Sequence, residues 1–116
     1  MIWDNLIRAI TAYIGYNNND LAWRAEIEHY RVQYSALFGD AESGAQLATM
    51  VDERSKYLAS RSLYTSRWIL DTLAGEVKRR LMYGVSADDA ITWLDGIQDV
   101  SQLIDAREEN LTSWRR

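Results

Sequence analysis

Not one of the 116 residues is proline. Proline ends helices from within, because it removes a backbone donor and its ring clashes with the carbonyl one turn earlier. Average usage near 5% would place about six in a chain of this length. This sequence is therefore free to run as long helices, and its apolar residues recur at helical spacing almost throughout. Trp3, Leu6, Ile7, Ile10, Tyr13 and Ile14 form a first stripe, which Gly15 is expected to end. Trp23, Ile27, Tyr30, Tyr34, Leu37 and Phe38 form a second, starting at a cap on Asn19 or Asp20 and ending at Gly39.

After a loop over 40–44, with Ser43 as the expected cap, no turn signal except Gly75 appears before Gly84. The core stripe of this segment reads Leu47, Val51, Leu58, Ile69, Leu73 and Val77. The spacing predicts one long central helix over about 45–83, roughly 58 Å from end to end. Ser60-Arg61-Ser62 is the place where it would otherwise break. Such a helix overhangs a domain whose expected radius of gyration is near 13 Å. Ser86 and Asp89 resemble a capping box. Ala90, Ile91, Leu94, Ile97, Val100, Leu103 and Ile104 then mark a last helix, with Gly96 tolerated inside at about 1 kcal/mol. The expectation is an all-α fold, a small antiparallel bundle of four to five helices in a single domain over 1–116, with residues 108–116 as a frayed tail.

Composition narrows the chemistry. No cysteine is present, which excludes disulfides, thiolate metal sites and cysteine nucleophiles and suits a reducing cytoplasm. The single histidine rules out a multi-histidine metal site within one chain. No apolar run reaches the roughly 18 residues of a membrane span, and no basic patch precedes an apolar block as in a secretory signal. The net charge of −4 repels nucleic acid at long range. The charge is unevenly spread: residues 61–85 hold five bases (Arg61, Arg67, Lys78, Arg79, Arg80) against Asp71 and Glu76, between two acidic flanks. No glycine-rich phosphate loop occurs.

Two short spacings carry catalytic associations. Glu26 and His29 have the Glu-x-x-His spacing of ferritin-like di-iron helices, whose second half this chain lacks. Arg24 and His29 form an Arg-x4-His spacing that resembles the signature of the HEPN family, helical bundles that often act as metal-independent ribonucleases. The resemblance implies an arginine and a histidine meeting across a dimer at a scissile phosphate. Six residues carry it, Ala25 stands where the family has a polar residue, and the motif lies early in the chain. On an exposed helix the same residues serve as local ion-pair partners, and neither a cofactor, a metal nor a catalytic residue is expected.

Two stripes in the middle of the chain point to binding. Ser55, Ala59, Ser62 and Ser66 repeat at four-three-four spacing, a ribbon of small residues over which a second copy of the chain is expected to pack as a dimer. Tyr57, Arg61, Tyr64 and Trp68 repeat the spacing on another flank. Tyrosine, tryptophan and arginine dominate interface hot spots, because they bring large area and a polar handle at little entropic cost. The reading is a non-enzymatic, self-associating interaction module that binds a partner protein. In size and composition the chain is like phage and mobile-element accessory proteins, such as inhibitors of host defence or assembly factors. The alternatives are a nucleotide sponge gripping phosphate with Arg61 and Arg67, and the HEPN-like ribonuclease.

Overall fold

Gly39 and Gly84 take up positive φ angles, 69° and 84°, and each sits where a helix stops. Left-handed backbone is cheap for glycine alone, so both positions work as stops read directly from sequence. The structure, a computed structural model, describes residues 2–113, with the side chains of Trp3, Leu6 and residues 20–111. Within them lie five helices and no strand: α1 (Ile2–Phe38), α2 (Ala41–Ser60), α3 (Ser66–Met82), α4 (Ala87–Gly96) and α5 (Val100–Ser113). None of these is long and apolar enough to cross a membrane. The all-α expectation holds.

Three boundaries differ from the sequence reading. First, α1 continues through Gly15, and a single interior glycine costs only about 1 kcal/mol. Second, the long central helix over 45–83 does not form: it breaks at 61–65, where hydroxyls capture the backbone. Ser60 Oγ donates to the Tyr57 carbonyl at 2.7 Å, Ser62 Oγ accepts from the Tyr64 amide at 3.0 Å, and Thr65 Oγ1 caps α3 by accepting from the Trp68 amide at 3.3 Å. Side chains that bond their own backbone give the chain an alternative to the helical ladder. Third, the last helix is two. Asp99 Oδ1 accepts from the Gln102 amide at 3.0 Å while Gln102 Oε1 accepts from the Asp99 amide at 3.2 Å, a reciprocal capping box that starts α5. Helix α5 is described as far as Ser113, and the rest of the tail expected to fray, residues 114–116 with Trp114 among them, lies outside the described residues. Caps also shift: Asp40, not Ser43, caps α2, whereas Ser86 Oγ accepts from the Asp89 amide as the sequence indicates.

The core forms where the periodicity puts it. Leu47, Val51, Leu58, Ile69, Leu73 and Val77 are all at most 1% exposed, joined by Tyr34, Leu70, Leu94 and Leu103. Helix α2 runs antiparallel to α1: Trp23 Nε1 donates to Asp52 Oδ1 at 2.7 Å near one end, and Ser35 Oγ to the Ala41 carbonyl at 3.3 Å near the other. Helix α3 runs parallel to α1, with Tyr34 Oη donating to the buried Ala74 carbonyl at 2.8 Å and Tyr30 Oη facing Asp71. Burial, with Asp71 and Glu26 nearby, pushes the Tyr30 hydroxyl up to about 12, so it stays a donor.

Helices α4 and α5 close the far side of α3. Glu76, 3% exposed, pairs with Arg80 at 3.2 Å and accepts from Asn110 on α5, while Arg80 lies over the Trp93 ring of α4 at 3.6 Å. Burial lowers the Arg80 pKa and Glu76 opposes that shift. A buried carboxylate is tolerable only with such partners. The molecule measures 61 × 31 × 24 Å, with a radius of gyration of 17.2 Å. That elongation comes from α1, whose 37 residues span about 55 Å, against about 30 Å for α2. The overhang expected of the central helix belongs to α1.

Candidate functional site

The corner between α2 and α3 holds the aromatic–arginine stripe, bent into two pairs by the break. Tyr57 stands in the last turns of α2 and Arg61 is its C-cap residue, so the Arg61 guanidinium lies over the Tyr57 ring at 4.6 Å. Arg54 approaches the same ring at 5.3 Å while leaning toward Asp95 at 3.8 Å. Tyr64 in the loop and Trp68 in the first turn of α3 stack at 4.9 Å with 26° between their planes. Each pair is fixed by the hydroxyl-bonded loop between them.

The four residues do not form one face. Tyr57 lines a groove with Met50, Glu53, Arg54, Asp95 and Gln98, between α2 and the α4–α5 corner. Trp68 lines another, with Thr72, Gly75, Arg79 and Arg107, between α3 and α5. Tyr57 and Trp68 are half-buried and pack against the core, so their rings are partly structural. Arg61 and Tyr64 are exposed, Tyr64 by 50%. Between them Leu63 is fully exposed, at 105%. Sequence reasoning passed over Leu63 because it falls off the four-three-four stripe; the signal was an apolar residue inside a serine- and threonine-rich turn.

The small-residue ribbon is divided by the same break. Ser55 is fully buried in α2, and its Oγ has no hydrogen-bond partner among the described residues. Ala59 packs against the core, Ser62 belongs to the loop, and Ser66 is exposed at the start of α3. Ser55 and Ala59 thus serve the close packing of α2 within the chain, and the four residues present no continuous seam.

Both catalytic spacings lie on α1. Five residues along a helix put Arg24 and His29 about 140° apart. Arg24 is paired with Asp20 at 3.2 Å, and His29 touches the Gln33 amide and meets Tyr30 edge-on at 5.8 Å. Glu26 is engaged by Arg67 at 2.9 Å. Among the described residues no three of His, Asp and Glu come together as a metal-holding group. Arg67, the other arginine of the nucleotide alternative, lies between Glu26 and Asp71, and its hydrogen bond to Asp71, with the charge of both acids, raises its pKa. Its Nε and Nη2 are engaged by carboxylates.

Comparison with known proteins adds no relative: no family model matches the sequence, and neither a curated protein nor a solved structure matches it.

Proposed function

We propose that this chain is a non-enzymatic helical interaction module that self-associates and binds a partner protein through the α2–α3 corner, acting by occupying that partner's surface in a reducing cytoplasm. One observation carries the reading. A five-residue turn holds a fully exposed leucine, Leu63, beside an exposed arginine, Arg61, and a half-exposed tyrosine, Tyr64. The Tyr57–Arg61 and Tyr64–Trp68 contacts restrain these side chains before any partner arrives, which lowers the entropic cost of binding. A complementary surface would offer an apolar pocket for Leu63 and Tyr64, rimmed by a carboxylate for Arg61. Helical accessory proteins that block a host enzyme or scaffold an assembly work in this way.

Affinity capture from lysate of the source cell tests the reading when wild type, Leu63→Ser and Tyr64→Ala are run side by side. A species retained by wild type and weakened about thirtyfold by each variant, roughly 2 kcal/mol, supports it. Equal retention by all three refutes it. The ribonuclease alternative has its own test: a His29→Ala variant keeps full biological activity under the binding reading, and loss of activity with an intact fold would restore a catalytic one.

A further inference from the structure

The apolar stripe of α1 changes sides along the helix. In its second half Trp23, Ile27, Tyr30 and Tyr34 face α2 and α3. In its first half the positions Trp3, Ile7, Ile10, Ile14, Asn17 and Leu21 repeat at four-three-four-three-four spacing. At 100° per residue this second stripe centres about 150° from the first, nearly on the opposite side of the helix. Exposure agrees where side chains are described: Trp3 is 75% exposed, Leu6 46% and Leu21 58%, whereas Trp23, two residues after Leu21, is half-buried. The antiparallel register places Ser60, the end of α2, level with about residue 15 of α1, so the first three to four turns also extend past the end of α2.

We infer that the first half of α1, residues 3–21, is a coiled-coil seam for a second copy of this chain. The inference rests on the self-associating part of the reading above and moves the seam away from Ser55, Ala59, Ser62 and Ser66. Three observations select a like helix as the occupant. The spacing is that of heptad a and d positions, with isoleucine at three of them and a single asparagine, Asn17, the device that sets register between paired helices. The segment carries only Asp4, Arg8 and Asp20, so like copies meet here without the repulsion that the chain's net −4 imposes elsewhere, and no dominant charge recruits an oppositely charged partner. The area also suffices: a covered tryptophan brings roughly 150–250 Å², so Trp3 alone supplies about a quarter of the ~800 Å² per partner of a stable interface. Leu6, Ile7, Ile10, Ile14 and Leu21 supply the rest. Intrinsic propensity points the same way. Isoleucines, Gly15 and three successive asparagines at 17–19 make a weak helix former, and short helices in water depend on packing for their stability.

Light scattering and sedimentation of the full chain at tens of micromolar test this. Wild type is expected at a multiple of 13.4 kDa. Ile10→Asp, on the stripe, is expected to weaken association at least about a hundredfold and to lose helical signal while the bundle still melts cooperatively. Arg8→Ala, on the opposite side, is expected to leave the mass unchanged. Because the chain has no cysteine, Asn17→Cys gives a clean second readout: under mild oxidation it should form a covalent pair, and Ser66→Cys should not. A monomeric wild type overturns both the seam and the self-association reading. An oligomer that Ile10→Asp and Leu21→Asp leave intact overturns the seam alone and places self-association on another surface.

Discussion

Gly44→Ala separates local preference from tertiary constraint, because the two predict opposite signs. Gly44 lies within α2, and alanine there gains about 1 kcal/mol of helix propensity. The structure opposes it. A Cβ on Gly44 would stand 2.6 Å from Ser35 Cα and closer still to the Ser35 amide and hydroxyl. The obstacle is backbone, so the two helices must part by about 1 Å to reach ordinary contact. Overpacking of that kind costs roughly 1–3 kcal/mol, and a clash with backbone belongs at the upper end. Subtracting the propensity gain leaves about 2 kcal/mol of destabilisation, or roughly 8 °C in Tm for a domain of about this size. Thermal and urea melts followed by circular dichroism measure it directly. A Tm that rises in Gly44→Ala would refute the close α1–α2 approach and, with it, the register on which the overhang of α1 rests.

Three further outcomes are expected. Ser55→Ala should stabilise the bundle by about 1 kcal/mol, because it removes a buried hydroxyl with no partner while keeping the volume nearly constant; a fall in Tm would show that the hydroxyl is satisfied in solution. Trp68→Ala should cost about 2 kcal/mol or more of stability, since its ring packs on the core, whereas Tyr64→Ala should leave the melt nearly unchanged, making Tyr64 the cleaner binding probe; equal melts for the two would place Trp68 outside the core. Asp99 is held below its ordinary value near 3.8, first by the Ser101 hydroxyl and then by the Gln102 amide, and Asp40 likewise by Ser43 and the Glu42 amide. A folded-state value below the unfolded one stabilises fully above about pH 4 and is lost as pH falls through the folded value, so acid melts of Asp99→Asn should show a shallower loss than wild type below pH 4.

Sequence alone determined the class of the fold and most of its core. Leu47, Val51, Leu58, Ile69, Leu73 and Val77 are buried as their spacing requires, and Gly39, Gly84 and Ser86 stop or start helices where they stand. These are local properties: a periodicity, a left-handed turn and a cap each act within a turn or two of the chain. The Asp99–Gln102 capping box was legible too, but Gly96 was read as an interior residue and drew attention from it. The break at 61–65 was decided by a close competition, in which three hydroxyl–backbone bonds outweigh one continued helical ladder; single residues differ there by fractions of a kilocalorie. Only the tertiary structure decided the rest. Whether Ser55 faces inward, whether Gly44 lies in a loop or against Ser35, and whether Leu21 or Trp23 of α1 is covered all follow from helix register. Register is a long-range property, set by pairs such as Trp23–Asp52 and Tyr34–Ala74 that stand 29 and 40 residues apart, and no one-turn spacing in the sequence encodes it.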